Sequence, residues 1–83
     1  MLVELETFLE FGENWWDEGP KTRDRLVFGK VTLNTEYISW LRRFEIGELF
    51  SFCEVHMVDR GCCFTVTKSY EEMRELLKVP AAA

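Results

Sequence analysis

The chain has 83 residues, 47% of them hydrophobic, and a formal net charge of −5. It is long enough for one domain, which we assign to residues 1–80, and too apolar for an intrinsically disordered chain. No apolar run approaches the roughly 18 residues that cross a bilayer, and the N-terminus lacks a basic region followed by a hydrophobic stretch. We therefore expect a cytoplasmic protein without membrane association.

The C-terminal alanines and the cysteines are read separately from the fold. Residues 81–83, three alanines after Pro80, are typical of a vector-derived tail. Three cysteines do not close a disulfide framework, and they fit reduced thiols. With one histidine and no paired ligand spacing, the sequence predicts no metal site, and we expect no cofactor.

The first predicted strand covers residues 3–11. Its apolar residues alternate with acidic ones, as in a half-buried strand, the apolar set being Val3, Leu5, Leu9 and Phe11. A short helix is the alternative, because Leu2, Leu5 and Leu9 have helical spacing. We favour the strand because no N-cap precedes the segment and Gly12 ends it early.

A polar loop follows over residues 12–25 and contains Trp15 and Trp16. Two adjacent tryptophans on a strand cannot both point into one core, since successive side chains face opposite ways. One of them is expected to cap the open end of the sheet and the other to lie on the surface. Alternatively, the pair contacts a partner protein. The acidic residues within 4–18 are expected to pair with the basic residues within 21–30.

Two further strands are predicted over residues 26–33 and 37–45. The first alternates around Gly29, which is a candidate bulge position. The second is aromatic and β-branched, with Tyr37 and Trp40 in its first half and a pair of arginines, Arg42 and Arg43, near its end. A polar turn at residues 34–36 separates the two strands.

A hairpin is predicted within residues 49–67. Its turn, Asp59-Arg60-Gly61, has a glycine where a three-residue loop needs a left-handed residue. This loop length sets Val58 opposite Cys62 and His56 on the other face of the sheet from Cys63. The three cysteines are then expected to be small apolar fillers.

A helix is predicted to start at Ser69, because Ser69 and Glu72 have the spacing of a capping box. Its apolar face combines Tyr70, Met73, Leu76 and Leu77, and Pro80 stops it. The fold class is therefore α+β, with about five mainly antiparallel strands in a small sheet or partly open barrel and one C-terminal helix.

Catalytic motifs are missing from the sequence. Nucleophilic catalysis needs an activated Ser or Cys with a base and an orienting group. His56 is the only histidine, and the predicted hairpin places it away from Cys63. The sequence also lacks a glycine-rich phosphate loop. We expect a protein that is not an enzyme.

Residues 30–77 resemble the small flagellar FlbD/SwrD-type proteins. The resemblance rests on Leu33-Asn34 leading into Ile38, on the segment from Val55 to the Asp-x-Gly turn, and on Val66-Thr67-Lys68-Ser69-Tyr70-Glu71-Glu72. Lys68 stands where an acidic residue is common in that family, and the loop with the two tryptophans is longer than the family's first hairpin. The resemblance implies a bacterial regulatory or assembly protein without enzymatic activity.

Three functions follow from these observations. The leading one is a protein-binding module, self-associating as a homodimer or larger homo-oligomer, with exposed strand edges and Trp15, Trp16, Tyr37 and Trp40 as contacts. The alternative is a small-ligand pocket walled by tryptophan, in which Arg42 or Arg43 orients an anion. Nucleic-acid binding through Lys21, Arg23, Arg25, Arg42 and Arg43 is disfavoured by the acidic net charge.

Overall fold

The alternating segments form five strands, followed by one helix. The structure is a computed structural model and describes residues 1–58 and 61–77. Its elements are β1 (Leu2–Phe11), β2 (Leu26–Asn34), β3 (Ile38–Ile46), β4 (Phe50–Met57), β5 (Cys63–Val66) and α1 (Tyr70–Leu76). All paired strands are antiparallel, in the order β2-β1-β5-β4-β3. The α+β class is confirmed, and the first segment is a strand rather than a helix.

Two long strand pairs make up most of this open sheet, and β5 joins them. β1 pairs with β2 and β3 pairs with β4 along most of their lengths, whereas β5 meets β1 in only one pair, Thr7 opposite Val66. The edge strands β2 and β3 are linked by a single short turn, Thr35–Tyr37. Four Cα–Cα steps span at most about 15 Å, so the two edges must approach each other at this end. The sheet is therefore strongly coiled.

A β-bulge in β1 changes which side chains face the core. The register shifts between Phe8 and Glu10, so Leu9 is the extra residue. The prediction that Leu9 shares an inward face with Val3 and Leu5 is wrong, because the bulge turns Phe8 into the aromatic cluster and leaves Leu9 61% exposed. Gly29 accommodates this arrangement, since a Cβ there would lie 3.0 Å from a methyl carbon of Leu9.

The helix covers one face of the sheet. Met73 is fully buried against a cluster from the strands whose other buried members are Leu5, Leu33, Cys53, Val55 and Val66. The predicted capping box is present: Ser69 Oγ accepts from Glu72 N at 3.1 Å, and Ser69 N donates to Glu72 Oε1 at 2.9 Å. Two orphan backbone donors are thereby satisfied, which holds this seven-residue helix in place.

A second, aromatic cluster fills the other face at the far end of the strands. Its buried residues are Trp15, Leu26 and Phe52, with Phe8, Phe28, Phe44, Ile46 and Phe50 packed around them. Trp15 reaches it from a 3-10 turn, Glu13–Trp16, which starts after Gly12. Only glycine fits there, because a Cβ on Gly12 would lie 2.6 Å from the carbonyl oxygen of Arg25.

Some predictions fall on residues that the structure does not describe. The hairpin turn residues Asp59 and Arg60 lie outside the described ranges, as do Pro80 and the proposed tail at 81–83. Gly61 is described and has the predicted left-handed conformation, with φ of +74°. Within residues 1–58 and 61–77, no helix has the length and apolar character to cross a membrane.

Candidate functional site

The two adjacent tryptophans have opposite environments. Trp15 is 5% exposed and packs between Phe11 and Phe50, with ring centroids 5.1 and 6.4 Å away. Trp16 is 75% exposed and contacts Phe11 only from the outside, at 5.5 Å. One ring thus caps the end of the sheet and the other lies on the surface. Trp16, and not Trp15, is accessible to a partner.

Tyr37 and Trp40 are exposed at the opposite end of the strands from Trp16. Tyr37 precedes β3, and its carbonyl accepts from Val58 N at 2.8 Å. Trp40 is 50% exposed and lies opposite His56, with the two rings stacked at 3.6 Å and 5°. The four predicted contact residues therefore do not form one patch.

Arg42 and Arg43 point to opposite faces of β3, because successive side chains alternate. Arg42 pairs with Glu54 at 2.8 Å, while Arg43 pairs with Glu71 of the helix at 2.6 Å and lies over the Tyr70 ring. Two shallow grooves in the described part of the chain are lined by neither arginine and by no tryptophan. The small-ligand alternative therefore gains no support from these two grooves.

The basic residues of the first loop bind within the chain. Arg25 donates to the carbonyl oxygens of Asn14 and Asp17 at 2.7 and 3.2 Å, and Lys21 donates to that of Asp17 at 3.0 Å. Arg23 pairs with Glu6 of β1, in agreement with the predicted pairing of the acidic and basic segments. These contacts tie the loop to itself and to β1.

The hairpin register differs from the prediction by one residue. His56 lies opposite Cys63, and Met57 N donates to Cys62 O, so the loop contains residues 58–61 rather than three residues. A one-residue change in register moves side chains to the other face of the strand. The prediction that Cys63 and His56 lie on different faces is therefore wrong.

This register brings three chemically distinct side chains together. Glu54 and His56 lie two residues apart on the same face of β4, and Cys63 lies opposite His56 on β5. We call these three residues the Glu-His-Cys cluster. His56 Nε2 lies 2.6 Å from Glu54 Oε1 and 3.7 Å from Cys63 Sγ. One carboxylate oxygen, one imidazole nitrogen and the sulfur all lie within 4.8 Å of one another.

The surroundings of the cluster set its charge state. Burial by itself raises the pKa of Glu54, but the hydrogen bonds from His56 and Arg42 outweigh it, so the pKa of Glu54 is lower than usual. Burial, together with the Glu54 carboxylate, raises the pKa of the Cys63 thiol, and Arg42 only partly opposes this effect. At neutral pH the cluster therefore combines a carboxylate with a protonated thiol.

The cluster is not arranged as a nucleophilic triad. In such a triad one imidazole nitrogen contacts the nucleophile while the other contacts the carboxylate. Here Cys63 and Glu54 both approach Nε2 of His56. A thiol with a raised pKa is also a poor nucleophile, because thiolate is the reactive form.

Sequence reasoning identified none of the cluster residues as a site. The cysteines were expected to be fillers, which is correct for the buried Cys53 and wrong for the exposed Cys62 and Cys63. The available signal was a Glu-x-His on one strand of a hairpin with a cysteine on the other. Whether the cysteine shares a face with the histidine depended on the length of the hairpin loop. No family model matches the chain, and neither a curated protein nor a solved structure does.

Proposed function

We propose that the protein is a non-enzymatic protein-binding module that binds a second copy of itself through the free edge of β3. In the part of the chain that the structure describes, β3 is a terminal strand of the sheet and pairs with β4 alone. An edge strand offers backbone donors and acceptors to which another strand can add. This free edge is the observation that carries the proposal.

The other edge, β2, is a weaker candidate. It contains Gly29 and an exposed Lys30 whose contact with Glu4 is long, at 3.8 Å, so the lysine keeps most of the protection that an edge lysine gives against unwanted pairing. The two arginines of β3 are already engaged by Glu54 and Glu71 of the same chain. Their charges are thereby partly neutralised, which lowers the barrier to a second strand approaching β3.

Charge selects a register for this pairing. β3 is regular over residues 40–46, after a register shift between Ile38 and Trp40. A symmetric antiparallel pair centred on residue 42 or 43 would place an arginine opposite itself, which is unfavourable. Centring on Phe44 instead places Arg43 opposite Glu45 of the second copy, twice by symmetry. We propose the Phe44-centred register.

Exposed apolar side chains support the same register. Trp40 lies four residues before Phe44. In this register it therefore lies opposite residue 48 of the second copy, in the β3–β4 turn at residues 47–49. Leu49 in that turn is 55% exposed. Burial of apolar area at both ends of the paired strands would add to the backbone hydrogen bonds. Tyr37 flanks the Trp40 end, and Trp16 remains a proposed contact for a different protein.

A pair of charge reversals tests the register. Arg43→Glu and Glu45→Arg each create two like-charge oppositions, so each variant alone is expected to lose self-association. Their equimolar mixture is expected to regain it, because in the mixed dimer every carboxylate at these two positions faces a guanidinium of the other chain. Sedimentation velocity at several concentrations, in EDTA and a reductant, measures the state without metal or disulfide bridges.

Glu10→Arg is the matched control for Glu45→Arg, since it makes the same charge change on β1, away from the β3 edge. It should sediment like the wild type. A wild-type protein that stays monomeric at every concentration would contradict the proposal. So would charge variants that still self-associate, or a mixture that remains monomeric while the wild type dimerises.

The remaining parts of the proposal rest on separate supports. The shared Nε2 contact argues against a nucleophilic triad, and three free thiols suit a cytoplasmic location. The resemblance of residues 30–77 to FlbD/SwrD-type proteins agrees with a regulatory or assembly role. We propose these roles together with self-association.

A further inference from the structure

The Glu-His-Cys cluster has a second property besides failing as a triad, since its three polar atoms converge on one point. Glu54 Oε1 and Cys63 Sγ both approach His56 Nε2 instead of lying on either side of the ring. Side chains on two hydrogen-bonded strands hold this arrangement. Such rigid elements position ligands better than loops do.

The spacing of the cluster suits a tetrahedral metal ion. Zinc–sulfur and zinc–nitrogen bonds of about 2.3 and 2.0 Å at a tetrahedral angle put the two ligand atoms about 3.5 Å apart. Cys63 Sγ and His56 Nε2 are 3.7 Å apart. The nitrogen and the Glu54 oxygen, at 2.6 Å, are spaced for a hydrogen bond, and an ion would replace that proton and widen the gap to about 3.3 Å.

The ligand types indicate which ions fit. A thiolate and an imidazole select zinc and similar transition metals, whereas magnesium and calcium prefer oxygen ligands throughout. We propose that Glu54, His56 and Cys63 form a binding site for a divalent transition-metal ion of the zinc class.

Neighbouring residues complete the site. Trp40 stacks on the His56 ring and fixes its plane, and Arg42 holds the Glu54 carboxylate at 2.8 Å. Residues that contact the ligands but not the ion orient those ligands, and their loss typically weakens metal binding 10–100-fold. Arg42 also brings a positive charge, which weakens the attraction for a cation. Three protein ligands leave the fourth position of a tetrahedron for water or a ligand from another molecule.

Binding requires a proton balance. The ion takes Glu54 as a carboxylate and His56 as neutral imidazole, so the proton between Nε2 and Glu54 leaves for solvent while Nδ1 takes one up. The Cys63 S–H bond breaks, its electron pair stays on sulfur to bind the metal, and the proton passes to solvent. Because binding displaces the Cys63 proton, affinity should rise with pH.

Cobalt(II) is a suitable probe, because a cobalt–thiolate bond absorbs in the near ultraviolet and the four-coordinate ion absorbs in the visible. Titration of the reduced protein with cobalt should give both bands at one equivalent, and zinc should bleach them. Cys63→Ser should lose the near-ultraviolet band and bind zinc at least about tenfold more weakly. His56→Gln should weaken zinc binding similarly.

Cys62→Ser is the matched control, because it removes an adjacent exposed thiol that is not part of the cluster. It should bind cobalt and zinc like the wild type. Circular dichroism of each variant establishes that it folds. The proposal is overturned if folded wild type shows no cobalt–thiolate band, if Cys63→Ser keeps it, or if Cys62→Ser abolishes it.

Discussion

Cys53 and Cys63 lie on neighbouring strands, yet the sheet gives them opposite surroundings. Cys53 on β4 is fully buried beneath α1 with Val55 and Val66, whereas Cys63 on β5 is exposed on the other face beside His56. Glu54 and His56 alternate along β4 with the residues of the buried set. One face of the sheet is therefore a packed core, and the other carries a polar cluster with its own chemistry.

The element that covers a face, and not the strand itself, decides the role of that face. The helix covers one face near the cluster, while the Trp15 turn covers the other face only at its far end. Between these covers lies the stretch with Trp40, Glu54 and His56, in which Trp40 is half exposed and Glu54 is buried among its neighbours on the sheet. The candidate site occupies the part of the sheet that neither cover reaches.

Thiol labelling gives the largest expected contrast between the faces. In native protein with EDTA, Cys63 should react with iodoacetamide at least about a thousandfold faster than Cys53, because Cys53 reacts only after an opening that costs several kcal/mol. Mass spectrometry of peptides measures each rate, with Cys62→Ser used to isolate Cys63. Comparable rates for Cys53 and Cys63 would mean that α1 does not seal its face.

The Trp15 turn, as the second cover, gives the next largest effect. Trp15→Ala should lower the free energy of unfolding by about 3–5 kcal/mol, because it empties a packed aromatic site. Trp16→Ala should change it by less than about 0.5 kcal/mol, since that ring is exposed. Urea denaturation followed by circular dichroism compares the two. Equal losses would show that the two rings share the cap.

Helix α1 contributes to the stability of the fold chiefly through Met73, its fully buried side chain. Met73→Ala should destabilise the fold by about 2–5 kcal/mol, because it leaves a cavity over Val55 and Val66. Glu75→Ala on the exposed side of the same helix is the control and should stay within about 0.5 kcal/mol. A loss well below about 2 kcal/mol for Met73→Ala would indicate a loosely docked helix.

The smallest effect concerns the pH dependence of the helix cap. Hydrogen bonds from Ser69 lower the pKa of Glu72 below its usual value of 4.5. Glu72 therefore contributes stability that is full above about pH 4.5 and is lost as pH falls through its lowered folded pKa. Glu72→Gln should be less stable than the wild type at about pH 7, and the gap should shrink near about pH 3. Urea midpoints at both values test this, and a constant gap would contradict the ionic contribution.

Much of the fold followed from local patterns. The alternation in β1 favoured a strand over a helix, and the spacing of Ser69 and Glu72 predicted where α1 begins. The bulge at Leu9 escaped prediction, because it depends on how β1 meets Gly29 and its neighbours across β2. The contrast between Trp15 and Trp16 was foreseen, but nothing local indicated which ring would be buried.

By itself, the sequence determined the elements, the α+β class and the capped helix, because these depend on residues within a few positions of one another. Tertiary structure alone decided the hairpin register, and with it whether Cys63 meets His56. One residue of loop length moves side chains across the sheet, and neither apolar pattern nor turn glycine specified that length. The Glu-His-Cys cluster exists only because two strands pair in this register.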